Sequence, residues 1–398
     1  MLSSCTLSLV ELYENSMKRV ALLIETSRTY GRDLLRGVKR YTEEHGGWSL
    51  FVEVRDLESK PPPWLSNWDG DGILVRSGST AISNAVRRLG VPTVELRSNK
   101  VGDNVPFVGV DNEEVGRLVA EHFLERGFQH FGVYELDSEQ FFVDRRDSFV
   151  RHLGAAGFEC SPFQQAGHTE KPSQWEQQQK RLIDWLQGLP RPVAVMACTD
   201  QLGCWLLDAC RRAEIPVPEQ IAVVGVENDE TLAAMSSPPL SSLSLAGEKI
   251  GHQAARILDD LMNGKTPPLE PVLVAPSTFE TRLSSNIFAI EDPLLSQCLR
   301  LIREQACQGL KVTDILKEVP ISRSSLERGI RKLLGRSPNA EINRVRLKKV
   351  CELLTQTELT LEEIASRTGF ATSQYLSELF RKTENKTPGE YRKFSRHC

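Results

Sequence analysis

From Lys18 onward the chain alternates short apolar runs with amphipathic stretches, and that order leaves few folds open. Val20-Ala21-Leu22-Leu23-Ile24 is apolar without a break, the pattern of a parallel strand buried on both faces. The next stretch, Tyr30 to Tyr41, sets Leu34, Leu35, Val38 and Tyr41 on one helical stripe. The same exchange continues through strands at 49–53, 72–75, 92–96 and 107–110, with helices at 81–89 and 112–126. A second series follows: strands at 131–136, 193–197 and 221–225, and helices at 145–156, 174–187, 201–212 and 248–262. Leu269 to Pro276 is expected to bring the chain back to the lobe boundary as a crossing strand. Two open α/β units in series leave a cleft, and open sheets take small ligands at the carboxyl ends of their strands.

The last hundred residues read differently. Val312 to Val319, then Pro320 to Arg331, is a short amphipathic helix, a tight turn and a second helix opened by hydroxyl residues. Thr360 to Phe370, then Ala371 to Phe380, repeats the layout. In the repeat Leu361, Ile364 and Ala365 share a face, and Tyr375, Leu379 and Phe380 are expected to meet it. Thr360 with Glu363 makes a capping box, and Gly369 supplies the left-handed position of the turn. This is a tandem helix-turn-helix. Its outward residues are short or basic: Ser322, Arg323, Ser324, Ser325, Arg328 and Arg331 in the first unit, and Ala371, Thr372, Ser373, Gln374 and Ser377 in the second. Such groups reach base edges and phosphates in a major groove.

Charge is segregated in the same way. Residues 293–398 hold 20 Lys and Arg against 12 Asp and Glu, while residues 1–292 hold 29 against 41. The formal net charge of -4 conceals a basic tail on an acidic body, which suits phosphate neutralisation by the tail alone. A plain helical bundle with a solvated basic face is the competing account, and it does not predict the repeated turn.

Other classes find less support. The nine cysteines and seven histidines show no metal-ligand spacing, and the thiols read as reduced and mostly buried. No apolar run reaches membrane-span length and the N-terminus has no signal-peptide form, so a cytoplasmic protein without membrane contact is expected. The chain has no G-x-S-x-G, no Walker A run, and no G-x-G-x-x-G after its first strand. No catalytic residue, metal or cofactor is assigned.

Two resemblances follow from these residues. The tail resembles the DNA-binding domain of AraC-type regulators, with Arg344 to Leu354 as the joining helix and Phe380-Arg381-Lys382, then Thr387 to Arg392, as the closing motif. Pro320 replaces the usual glycine of the first turn, Asn385 replaces a glycine near the end, and Glu378 stands where some relatives are basic. Residues 18–285 resemble the periplasmic-binding-protein-like sensor of LacI-type regulators, through Val108 to Asn112, Glu125 to Phe128, Ala156 to Phe158, Cys198 to Asp200 and Ile215 to Asn228. Together they imply an α/β, two-lobed sugar sensor (18–285), a linker (286–292) and an all-α double helix-turn-helix domain (293–398).

The implied function is a sugar-responsive transcription regulator, an activator of a pentose (xylose-like) or related operon. A repressor of the same architecture is the alternative, and a sugar-binding transport or chemoreceptor component is another. Implied partners are double-stranded DNA, a sugar effector, RNA polymerase and a second copy of the chain, paired through helices such as 81–89 or 112–126. Ile287-Phe288 is expected to dock the linker. The implied ligand set is Ser27, Arg28, Tyr30, Arg76, Ser77, Phe142, an Arg145 that opens a helix, Asp200 and Glu227. Phe141, Trp64 and Trp68 are further aromatic candidates. Xylose-sensing relatives carry an acidic pair where this chain has Arg76-Ser77, which changes the sign of the pocket edge. Xylose is then a candidate, and a different sugar, or an acidic or phosphorylated one, fits an arginine better.

Overall fold

A computed structural model describes residues 17–56, 59–97, 105–136, 140–163, 175–268, 270–287 and 292–397. The chain divides into two units, Met1–Glu121 with His130–Asn286 and His122–Gln129 with Ile287–Cys398.

The first unit holds two sheets. β1 (Lys18–Leu23), β2 (Trp48–Val52), β3 (Gly72–Val75) and β4 (Thr93–Glu95) form a parallel sheet in the order β2-β1-β3-β4. The apolar run of β1 lies in its interior, with Val20 to Ile24 each no more than 2% exposed. β6 (His130–Tyr134), β7 (Cys160–Pro162), β8 (Val193–Ala197), β9 (Ile221–Glu227), β10 (Ser241–Ser244) and β12 (Phe279–Glu280) form the second sheet, ordered β12-β10-β9-β8-β6-β7. All its pairings are parallel except that of β12. β5 (Val108–Val110) pairs with β11 (Val272–Val274), so the expected crossing strand exists, although Leu269 lies outside the described residues.

The helices of this unit are α1 (Thr29–His45), α2 (Thr80–Leu89), α3 (Asn112–Leu124), α4 (Gln140–Ala155), α5 (Trp175–Gly188), α6 (Asp200–Arg212), α7 (Glu230–Met235) and α8 (Gly247–Met262). α8 follows the second sheet in sequence yet packs on α1 beside the first. Two glycines permit this: a Cβ on Gly37 would lie 2.0 Å from the Glu248 carbonyl, and one on Gly251 2.0 Å from the Leu34 carbonyl. The chain thus passes three times between the lobes, between β5 and β6, between β10 and α8, and between β11 and β12.

Three short elements escaped the sequence pattern. β7 is three residues long, α7 is six, and β10 is built of Ser241, Ser242, Leu243 and Ser244. Buried serines do not read as a central strand, but here their hydroxyls have fixed partners, Asp200 for Ser242 and the Arg282 carbonyl for Ser241. α4 starts at Gln140, five residues earlier than expected, so Arg145 sits in its second turn and does not open it. The long helix begins at Trp175, and Gln174 lies outside the described residues.

The second unit carries α9 (Pro293–Gln305), α10 (Val312–Glu318), α11 (Arg323–Leu334), α12 (Pro338–Gln356), α13 (Leu361–Arg367), α14 (Ser373–Glu384) and α15 (Pro388–His397). Cys298, Leu299, Ile302, Ile315, Leu326, Ile330 and Ile342 build one core. Leu347, Val350, Leu354, Ile364, Phe370, Leu376 and Phe380 build another. α12 supplies both, through Ile342 at its start and Leu347 to Leu354 further on, and so joins two helix-turn-helices into one body. The expected docking residue Phe288 and linker positions 288–291 lie outside the described residues. No described helix is long and apolar enough to cross a membrane.

Candidate functional site

The strand ends of both sheets converge on one cleft. α1 follows β1 after residues 24–28 and brings in Tyr30, while Arg76 follows the last residue of β3. Asn112 starts α3 after β5, and Glu227 is the last residue of β9. With Arg145 and Phe141 from α4 these side chains line a cavity of about 30 Å³, closed further by Leu96, Arg97 and Phe107. The cavity opens beside a wider hollow of about 540 Å³ edged by Asp111, Glu113, Asp144, Asp147 and Arg151.

Arg145 is buried, and its Nε donates to Asn112 Oδ1 at 2.9 Å while Nη1 donates to the Cys198 carbonyl at 2.6 Å. Its guanidinium stands 4.9 Å from the Phe141 ring centre. Burial lowers its pKa and the Glu227 carboxylate opposes that effect. Burial likewise raises the Glu227 carboxyl, against the pull of Arg145, Arg28 and Arg76. Each charge thus offsets part of the burial penalty of the other. Burial also keeps the Tyr30 hydroxyl protonated, against Arg76 and Arg145.

Glu227 is held by an unusual backbone. Its φ is 110° and that of Asn228 is 49°, two consecutive left-handed positions without glycine. Strain of this kind costs about 1–3 kcal/mol per residue and persists only where neighbours enforce it. Asp200 enforces it here: Oδ2 accepts from the Asp229 amide at 2.6 Å, and Oδ1 accepts from the Ser242 hydroxyl at 2.5 Å. Ser242 in turn accepts from the Asn228 amide at 3.0 Å. Thr29 of the first lobe donates to Asp229 Oδ2 at 2.6 Å, which ties α1 to the same turn.

The structure brings together Tyr30, Arg76, Arg145 and Glu227 from the expected set, with Arg28 close enough to act on Glu227. Four others fall elsewhere. Ser27 is exposed to solvent. Ser77 is buried and donates both its amide and its hydroxyl to Glu95. Phe142 is buried behind Phe141, because adjacent helical residues point 100° apart and only Phe141 meets the cavity. Asp200 is fully buried beneath the β9 turn and acts on Glu227 through the backbone. Trp64 and Trp68 pack with Phe51 in the first lobe, away from the cleft lining. Asn112 and Phe107 line the cavity and were missed in the sequence, although both flank β5.

The tail presents two reading helices. In α11 the Ser322 hydroxyl caps the helix by accepting from the Ser325 amide at 3.1 Å, and Leu326 and Ile330 are buried. Ser322, Arg323, Ser324, Ser325, Arg328 and Arg331 are exposed. Arg323 also pairs with Glu327 at 3.1 Å on the surface. In α14 Thr372 accepts from the Tyr375 amide at 3.1 Å, Ser373 donates to Glu362 at 3.2 Å, and Ala371, Thr372 and Gln374 are exposed, with Ser377 half-buried. The packing face differs from the expected one: Leu376 and Phe380 are buried, while Tyr375 is 45% exposed and joins the outward set. The two turns are built differently. Gly369 has φ 73°, whereas Val319 is extended and the Ile321 amide returns to the Val319 carbonyl at 2.7 Å across Pro320. Asn385 takes φ 54°, a left-handed cap that asparagine tolerates.

A two-lobed sensor joined to a tandem helix-turn-helix defines a class, the ligand-responsive DNA-binding regulators. Three family descriptions match in series: the XylR N-terminal domain over residues 19–113, a periplasmic binding protein-like domain over 120–285, and a helix-turn-helix domain over 315–393. The xylose operon regulatory protein of Escherichia coli (strain K12) is 30% identical over 382 residues, covering 94% of this chain and 96% of that protein. A solved xylose-binding transcription activator xylR aligns with a TM-score of 0.62 and 30% identity over 95% of this chain and 98% of its own. A periplasmic binding protein/LacI transcriptional regulator from Alkaliphilus metalliredigens, solved with D-xylulofuranose, shares the sensor fold at 15% identity and a TM-score of 0.55 over 67% of this chain and 99% of its own. The chain belongs to the family of xylose operon regulatory proteins. The AraC-type assignment is corrected by these matches. The model that fits the tail is described simply as a helix-turn-helix domain, and the regulators that share the sensor are of the LacI type. The tail's resemblance covered a quarter of the chain, too little to class the whole.

Proposed function

We propose that the chain activates a xylose or related pentose operon by binding its sugar in the cleft of Arg76, Tyr30, Arg145 and Glu227. The observation that carries this reading is the charge-matched Arg145 and Glu227 pair at the strand ends of a hinged two-lobed sensor. Charged groups hydrogen-bond hydroxyls more strongly than neutral ones, and a sugar's C–H face packs on a ring such as Phe141. A cavity of about 30 Å³ holds water but not a pentose. The lobes therefore part to admit ligand and close on it, breaking and remaking contacts such as Thr29 with Asp229.

Closure changes how two copies of the chain present their reading helices to successive major grooves. The residues for that role are Ser322, Arg323, Ser324, Ser325, Arg328 and Arg331 of the first motif, and Ala371, Thr372, Ser373, Gln374 and Ser377 of the second. Recruitment of RNA polymerase is the output, and the sensor carries out no catalysis.

The test is binding of the purified chain to promoter DNA of a xylose operon, with D-xylose, L-arabinose or D-ribose added in turn. One sugar is expected to change affinity at least tenfold. Arg145→Ala and Glu227→Ala are expected to remove that response while sugar-free binding remains. DNA binding indifferent to every sugar sinks the proposal.

A further inference from the structure

The sugar cleft contains a charge pair that its sequence neighbourhood conceals. Arg76 lines the cavity, and directly behind it stands Glu25, from the segment that follows β1. The two form an ion pair through Arg76 Nη1 and Glu25 Oε1, with side chains 8% and 1% exposed. Gly31 makes the space: a Cβ there would lie 2.1 Å from the Glu25 carbonyl oxygen and 2.9 Å from its carboxyl carbon. The Tyr30 ring lies 5.1 Å from the Arg76 guanidinium and holds its other side. Glu25, Tyr30, Gly31 and Arg76 are thus one built unit. Within it Glu25 Oε2 and Arg76 Nε are buried without a hydrogen-bond partner. Glu25 does not itself line the cavity, so it acts on a ligand through Arg76.

Elsewhere in the cleft one further pair has the same balance, and Arg97 lines the edge as an additional cation. Arg145 is matched by Glu227 across the cavity. Outside it, the wider hollow carries Asp111, Glu113, Asp144 and Asp147 against Arg97 and Arg151, so the approach is acidic. An anionic ligand would meet repulsion on entry and find the charge of Arg76 already matched by Glu25.

We propose that Glu25 is a positioning residue that neutralises Arg76 and so restricts the cleft to uncharged polyhydroxylated ligands, excluding sugar acids and sugar phosphates. This rests on the sugar-sensing reading of the cleft. It also reverses the expectation drawn from Arg76 alone, which counted its charge without the carboxylate behind it.

The test compares ligand classes on the full chain by thermal shift and calorimetry. D-xylose, L-arabinose, D-ribose and D-glucose represent the neutral class, and D-xylonate, D-glucuronate and glucose 6-phosphate the anionic one. The natural chain is expected to bind at least one neutral sugar and to bind each anionic probe at least a hundredfold more weakly. Glu25→Gln is expected to weaken the neutral sugar tenfold or more and to strengthen an anionic probe, because Arg76 loses its counter-charge. Glu25→Asp is expected to restore the neutral preference, which a merely structural role for Glu25 would not produce. Should Glu25→Gln fail to fold, the double variant Glu25→Gln/Arg76→Gln keeps the packing without either charge. It is expected to bind the neutral sugar more weakly, because Arg76 lines the cavity, and to gain no anionic probe, because the cation that would receive it is gone; an anionic probe gained without Arg76 overturns the inference. An anionic probe binding the natural chain more tightly than any neutral sugar overturns the inference and leaves the sensor role standing, as does an unchanged class preference in Glu25→Gln. No binding by any of the seven probes overturns the sensor role itself.

Discussion

Asp200 illustrates how a single side chain acts at a distance from the ligand. It is fully buried and its pKa is pushed up to about 8, first by burial and then by the nearby Glu227, with the Ser242 hydrogen bond pulling the other way. An acid raised in the folded state binds more protons there than in the unfolded chain, where its value is near 3.8. Its contribution to stability is therefore complete below pH 4 and is lost as pH rises toward 8, with a slope of about 1.4 kcal/mol per pH unit. Asp200→Asn is expected to flatten the dependence of the melting temperature on pH between 5 and 8. An unchanged slope would place the titrating group elsewhere. The same variant is expected to loosen the Glu227 turn, so sugar affinity is expected to fall although Asp200 does not line the cavity.

At the level of elements, the two helix-turn-helices differ most in their turns. Gly369 combines φ 73° with close approach: a Cβ there would lie 2.7 Å from the Gly309 amide nitrogen and 2.8 Å from the Ala306 carbonyl oxygen. Gly369→Ala is expected to destabilise the domain by about 2 kcal/mol or more, since backbone on both sides resists the shift. Pro320→Ala, at an extended turn, is expected to cost less than about 1 kcal/mol, and chemical denaturation of the two variants compares them. Thr372→Ala removes the cap of α14 and is expected to cost about 1 kcal/mol. The helices themselves were legible in sequence because caps such as Thr360 with Glu363 and Thr387 with Glu390 are local chemistry. The face of Tyr375 was not, since its exposure depends on which of two neighbouring apolar residues the partner helix admits.

For the whole molecule, the basic tail and acidic body predict a binding curve with a steep salt dependence. Removing one phosphate-neutralising side chain lowers the slope of log affinity against log salt by about 0.9. Arg328→Ala with Arg331→Ala is expected to lower it by about 2 in total, measured by fluorescence anisotropy at several salt concentrations. A slope that does not move would remove α11 from the DNA interface. Saturating sugar is expected to stabilise the chain by about 2.7 kcal/mol at a hundred times its dissociation constant. Arg145→Ala is expected to abolish that gain.

Periodicity, capping and charge, all properties of neighbouring residues, determined the two α/β lobes, the tandem helix-turn-helix and the segregation of basic charge. Tyr30, Arg76, Arg145 and Glu227 were marked by the resemblance to a LacI-type sensor, and of these Arg76 and Glu227 stand at strand ends. Tertiary structure alone decided the rest. Only the folded chain shows α8 returning to the first lobe through Gly37 and Gly251, Phe141 facing the cavity in place of Phe142, and Asp200 working beneath the turn it enforces. Only there does Glu25 meet Arg76, fifty-one positions away in sequence. A charge seen in sequence carries no sign for a ligand until its partner is known, and burial, which makes that partner indispensable, is a property of the fold.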